Sequence, residues 1–159
     1  MTIAADGRAS WARGTAVSVA LLASPTLVAY TIPLLGVIVS LLLTLLITAR
    51  VRSRLWPRCS APAARWCSVL AIVGLWLPAL SSFTFAEPNT MLWLLIPLCA
   101  PEQMSAYLIP ALAATAVSFV GAGASALARH PWPWVLAAWV APLAYLAAGR
   151  WLTDGSFFC

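Results

Sequence analysis

The chain has 159 residues, is 63% hydrophobic and 8% charged, and carries a formal charge of +5. Soluble domains average roughly 25% charged residues, so this composition, with a mean hydropathy of +0.94, excludes a separate soluble domain. All the basic residues are arginine, and they flank apolar stretches as orientation signals do, so no nucleic-acid partner is expected.

The first apolar block runs from Gly14 to Ala49. As one helix it would extend about 54 Å, against a hydrocarbon core of about 30 Å. Reversal near Tyr30-Thr31-Ile32-Pro33 divides it into two spans, with Pro33 suited to the first turn of the second. Residues 16–23 following Arg8 and Arg13 superficially match a signal peptide, but no small-residue cleavage site precedes a polar start. An uncleaved hairpin is therefore expected.

A third span covers about 66–85 with Pro78 inside it, and Ala86-Glu87-Pro88-Asn89-Thr90 forms a turn outside. Met91–Ala100 is apolar but too short to cross, since a span needs about 20 residues. It is expected to lie at the interface or to re-enter. The fourth span covers 104–128, turns at Arg129-His130-Pro131, and is followed by a fifth over 134–152.

The predicted fold is thus an all-α integral membrane protein, a single domain over residues 1–159. It is a bundle of about five transmembrane helices (about 12–30, 33–50, 66–85, 104–128 and 134–152) plus the short segment near 91–100. The alternative is four helices with one long first helix. Five spans place Arg8, Arg13, Arg50, Arg52, Arg54, Arg58, Arg65 and Arg129 on one side and Arg150 alone on the other. Positive loops stay cytoplasmic. The expected location is the plasma (inner) membrane, multi-pass, with a cytoplasmic N-terminus and an extracytoplasmic C-terminus. The all-arginine, Pro- and Trp-rich composition suits a GC-rich bacterial genome.

Aromatic rings gather at the predicted span ends, as amphipathic rings at headgroup depth do. Trp11, Trp56, Trp66, Trp132 and Trp134 fall on the inner edge, and Tyr30, Phe83, Phe85, Trp93, Tyr107 and Trp151 on the outer. Trp76 and Trp139 fall mid-span and need packing partners. In the fourth span, Pro110, Ala114, Ser118, Ala122 and Ala126 recur every fourth residue, a face without bulk that lets helices approach closely. Internal contact, with the fifth span above all, is the simple reading of this face. Docking against a partner is the functional one.

No span holds an ionisable residue at its centre, where a proton- or ion-coupled transporter keeps one. The candidate polar site is an outer-rim cluster of Glu87, Glu102, Arg150 and Asp154, with a Glu102–Arg150 ion pair geometrically feasible and separate solvated side chains the alternative. Cys59 and Cys67 lack the further ligands of a zinc site. Cys99 and Cys159 fall on the oxidising side, where a disulfide would tie down the tail; free thiols are the simpler expectation. No catalytic, cofactor or metal site is predicted.

Thin loops and helix-packing surfaces point to an accessory, structural or assembly subunit of a larger membrane complex. Its partners would be the lipid bilayer and other membrane subunits or copies of itself, met through the fourth span and the arginine loop from Arg50 to Arg65. The alternative is a small oligomeric transporter or channel, its kinked helices surrounding a pore. A lipid-acting enzyme using the outer rim is a third reading.

Overall fold

A computed structural model describes residues 3–31, 35–84 and 104–152, and within them the side chains of 10–31, 35–36, 38–76, 108–148 and 151. Among the described residues the regular structure is helical: α1 (Ile3–Thr31), α2 (Leu35–Leu55), α3 (Ala61–Thr84), α4 (Met104–Ala128) and α5 (Trp132–Leu152). α1 and α2 pack against each other, with Gly36 beside Val28 and Arg54 beside Gly14, so the single long first helix is ruled out. Met91–Ala100 and the exterior turn at 86–90 lie outside the described residues.

The helices run beyond the expected spans at the arginine-bearing ends. α1 begins at Ile3 rather than near residue 12, α2 continues to Leu55, α3 starts at Ala61 and α5 at Trp132. The expected Arg50–Arg65 loop is therefore mostly helix, interrupted only over 56–60. Arginine is a good helix former, and cations are favoured in a last turn, where Arg52 and Arg54 sit.

Local chemistry explains the helix ends. Trp56 N–H donates to Arg52 O at 2.8 Å and Cys59 N–H to Trp56 O at 2.9 Å, with Pro57 set for the second position of that turn. Ser60 then caps α3, its Oγ accepting from Ala63 N–H at 3.4 Å. α4 ends with His130 N–H on Ser125 O at 3.2 Å and Arg129 N–H on Ala126 O at 3.4 Å, the paired bonds of a Schellman cap. Arg129 takes the left-handed position usually given to glycine, with φ 53°.

Around the bundle the neighbours run α1–α2–α3–α5–α4 and back to α1, and α4 and α5 share the most extensive seam. Gly121 makes that seam possible: a Cβ there would overlap the Ala137 Cβ and stand 2.9 Å from Pro133 O. Within α1, Pro25 leaves the Leu21 carbonyl without its backbone donor, and Ser24 Oγ supplies one at 2.9 Å.

The centre of the ring is filled from both ends. At one end Trp56 and Trp134 pack with ring centroids 5.8 Å apart. Toward the other, Tyr30 stacks on Tyr145 at 4.5 Å and lies 6.5 Å from Trp76. Between them remains a cavity of about 10 Å³, lined by residues that include Leu22 and Thr26 of α1, Thr44 of α2, Ala71 of α3 and Ala138 of α5. That is room for one water at most.

Away from the arginine-bearing end, the described outer surface carries many exposed apolar side chains. Ser10–Thr31 and Leu108–Ala128 are long and apolar enough to cross a membrane, and Ala61–Trp76 and Trp132–Ala148 are shorter apolar stretches. Val120 is 70% exposed and Leu127 88%, which fits a membrane location.

Candidate functional site: the arginine-bearing end and its groove

The small-residue face of α4 is buried within the chain. Pro110, Ala114, Ser118 and Ala122 are buried and Ala126 is half-buried, facing α1 and α5. Ser118 Oγ and Thr26 Oγ1 of α1 share a buried hydrogen bond of 2.7 Å. The face is thus occupied inside the bundle and leaves no open surface for another subunit.

Of the outer-rim cluster, Glu87, Glu102 and Asp154 lie outside the described residues, as do Cys99 and Cys159. Arg150 has only its backbone described, in the last turn of α5, at the end of the bundle away from the other arginines. Cys59 and Cys67 are free thiols, half-buried and buried. Among the described residues, no three His, Cys, Asp or Glu side chains converge as metal ligands would.

The tryptophans divide in a way the span-end pattern does not anticipate. Trp11, Trp66, Trp132 and Trp151 are exposed, as headgroup anchors are. Trp56 and Trp134 are instead buried core residues, and so is Tyr30, whose hydroxyl donates to Leu75 O at 3.2 Å. The reason is packing between remote segments: Trp56 bonds Ser125 and lies beside Trp134, and Tyr30 stacks on Tyr145, so these rings fill the interior. Trp76 and Trp139 do find partners, the Trp76 Nε1–H on Ser40 Oγ at 3.3 Å and the Trp139 Nε1–H on Leu70 O at 3.1 Å.

The described arginines collect at one end. α1 and α2 run antiparallel, so Arg54 Nη1 reaches Gly14 O at 3.4 Å. Trp56 Nε1–H donates to Ser125 Oγ at 2.8 Å, and Ser125 Oγ donates to His130 O at 2.6 Å, which brings the α2–α3 and α4–α5 turns together. Arg13, Arg50, Arg52, Arg54, Arg58, Arg65 and Arg129 therefore share this end. The sequence from Gly7 to Ala86 contains no Asp or Glu. The arginine contacts described are with backbone carbonyls, which orient guanidinium groups without neutralising them.

α2 carries a polar stripe that patterning by hydrophobicity overlooks. Ser40, Thr44 and Thr48 are buried and spaced one turn apart, and Arg52 continues the spacing. Thr44 Oγ1 donates to Ser40 O and Thr48 Oγ1 to Thr44 O, both at 2.6 Å, which satisfies each hydroxyl within its own helix. Ser68 of α3 does the same, donating to Ala64 O at 2.8 Å.

Where this stripe meets α3, the seam opens into a groove of about 560 Å³. Thr48 and Ser68 lie at its base, Leu45, Leu46 and Val69 on its walls, and Arg52 and Arg65 at its arginine end. A second groove of about 550 Å³ lies on the α1 side of α2, with Leu21, Leu46, Ile47 and Arg50. The fourth-residue spacing of Ser40, Thr44, Thr48 and Arg52 was the available signal in the sequence; the opposing Ser68 and Arg65 became visible only through the fold.

Compared with known protein families, curated proteins and solved structures, the chain matches none.

Proposed function

We propose that this chain is an integral membrane protein whose five helices cross the bilayer. Its arginine-bearing end faces the cytoplasm and the Leu152 end faces outward, and it serves as an accessory or assembly subunit of a larger membrane complex. The observation that carries the reading is the outward face of α2. Leu35, Ile38 and Leu42 are 64%, 57% and 53% exposed, and α2 has the thinnest seam of the ring, with α3. An apolar helix face left uncovered by its own chain, while the small face of α4 is already covered, is a surface suited to a partner helix. The run of arginines at one end supports the orientation.

The transporter reading receives less support. Aromatic side chains fill the ring, and the central cavity holds about 10 Å³, so a pathway would have to run between copies.

Two measurements test the proposal. In a cysteine-free background, Ser53→Cys should react with an impermeant thiol reagent only after the membrane is opened; labelling of intact cells overturns the orientation. Purified from native membranes in mild detergent, the chain should migrate as part of an assembly that Ile38→Ala/Leu42→Ala disperses without unfolding it. A self-assembled oligomer that conducts ions or solute in liposomes overturns the accessory role in favour of the channel.

A further inference from the structure

The groove between α2 and α3 combines features that point to one kind of ligand. At its base Thr48 and Ser68 spend their hydroxyl protons within their own helices, which leaves the seam itself largely apolar. Its walls, Leu45, Leu46 and Val69, are substantially exposed in the isolated chain. Its arginine end carries Arg52 and Arg65, one from each helix. At about 560 Å³ it falls within the range of ligand sites, about 300–1,000 Å³.

The two arginines differ usefully. Arg52 is half-buried, and its Nη1 donates to Cys59 O at 2.8 Å, which holds the side chain in place beside the turn. Its remaining N–H groups supply further donors in a fixed plane. Arg65 is exposed and stands in the first turns of α3, whose N-terminal end adds a partial positive charge. Planar guanidinium groups favour phosphate oxygens through paired hydrogen bonds. Asp6, near the start of α1, is the one carboxylate that the sequence places toward this end, against seven arginines there whose side chains are described.

A ligand matching this groove has a phosphate-bearing anionic head and an apolar tail. We propose that the α2–α3 groove binds one anionic phospholipid of the inner leaflet. Its phosphodiester lies between Arg52 and Arg65, and an acyl chain runs along Leu45, Leu46 and Val69. This rests on the membrane orientation proposed above, which sets the arginines at headgroup depth and the leucines at acyl depth. The lipid occupies the arginine-end half of α2, and the partner surface at Ile38 and Leu42 occupies the other half. The bound lipid would thicken the weakest seam in the ring.

The test uses the full chain purified in mild detergent and analysed by native mass spectrometry with added phosphatidylglycerol, phosphatidylethanolamine or glycerol 3-phosphate. Wild type should retain phosphatidylglycerol in preference to phosphatidylethanolamine and should not retain glycerol 3-phosphate, because the apolar walls contribute. Arg52→Gln/Arg65→Gln should weaken phosphatidylglycerol binding about 25-fold, at about fivefold per arginine. The backbone bonds Trp56 N–H to Arg52 O and Cys59 N–H to Trp56 O hold the turn independently of the Arg52 side chain. Val69→Trp, which fills the groove without changing charge, should also abolish retention, and Arg58→Gln in the neighbouring turn should leave it unchanged. Equal retention of the lipids, or equal loss in Arg58→Gln, overturns the site; retention of glycerol 3-phosphate as tight as that of the lipid makes the ligand a soluble phosphate compound and also overturns it. Flotation with liposomes distinguishes this from failure of the membrane reading. A chain that floats with neutral and anionic vesicles alike but shows no headgroup preference lacks the site, whereas one that fails to float is not embedded.

Discussion

The Trp56 indole N–H donates to the Ser125 hydroxyl at 2.8 Å across 69 residues of sequence. Trp56 closes α2 and Ser125 lies near the end of α4, so one hydrogen bond joins the two turns of the arginine-bearing end. Ser125 passes the interaction on by donating to His130 O at 2.6 Å. Both residues are fully buried, so neither group has water as an alternative partner.

Ser125→Ala removes the acceptor and leaves the indole N–H buried without it, a loss of about 1–3 kcal/mol. Trp56→Phe removes the donor instead. Thermal unfolding in detergent should show both single variants destabilised and the double variant less so than their sum, with a coupling of about 0.5–3 kcal/mol. Strict additivity would mean that the bond does not contribute.

The glycines of α4 should respond oppositely to the same change. Gly121 faces Ala137 with no room for a Cβ, whereas Gly123 has open space. Gly121→Ala should lower the unfolding temperature by forcing α4 and α5 apart. Gly123→Ala should leave it unchanged or raise stability by up to about 1 kcal/mol through helix propensity. Comparable destabilisation by both would show that the seam is looser than described.

Gly74 of α3 has a different neighbour, the indole of Trp139, which covers it and donates to Leu70 O. Gly74→Ala should displace the ring and break that bond. Adding Trp139→Ala should then cost less in the Gly74→Ala chain than in wild type, measured by the same unfolding assay.

Ser24 and Pro25 form a matched pair. Ser24→Ala should destabilise by about 0.6–2 kcal/mol in the presence of Pro25, because the Leu21 carbonyl then loses its substitute donor. In a Pro25→Ala background the backbone N–H returns and Ser24→Ala should have little effect. An equal effect in both backgrounds would assign the hydroxyl another role.

Arg129 occupies a left-handed conformation at φ 53°. Such a conformation costs a residue bearing a Cβ about 1–2 kcal/mol. Arg129→Gly should raise the unfolding temperature, and Arg129→Val, β-branched and less tolerant still, should lower it.

The helices and the gathering of the arginines were legible from the chain alone, because apolar length and charge placement are local properties. The break near Pro33 followed from a length no single span could use, and the α4 face was readable as a fourth-residue spacing. What that face meets was not readable. Ser118 finds Thr26 at a separation of 92 residues, and whether a small face turns inward or outward depends on how remote helices pack. Trp56 and Trp134 show the same limit: a tryptophan at a helix end has one sequence signature whether it anchors in headgroups or fills a core. The order of helices around the ring made these two core residues. The same order set Arg65 and Ser68 opposite Arg52 and Thr48, because a groove is a relation between two helix faces and neither helix encodes it alone.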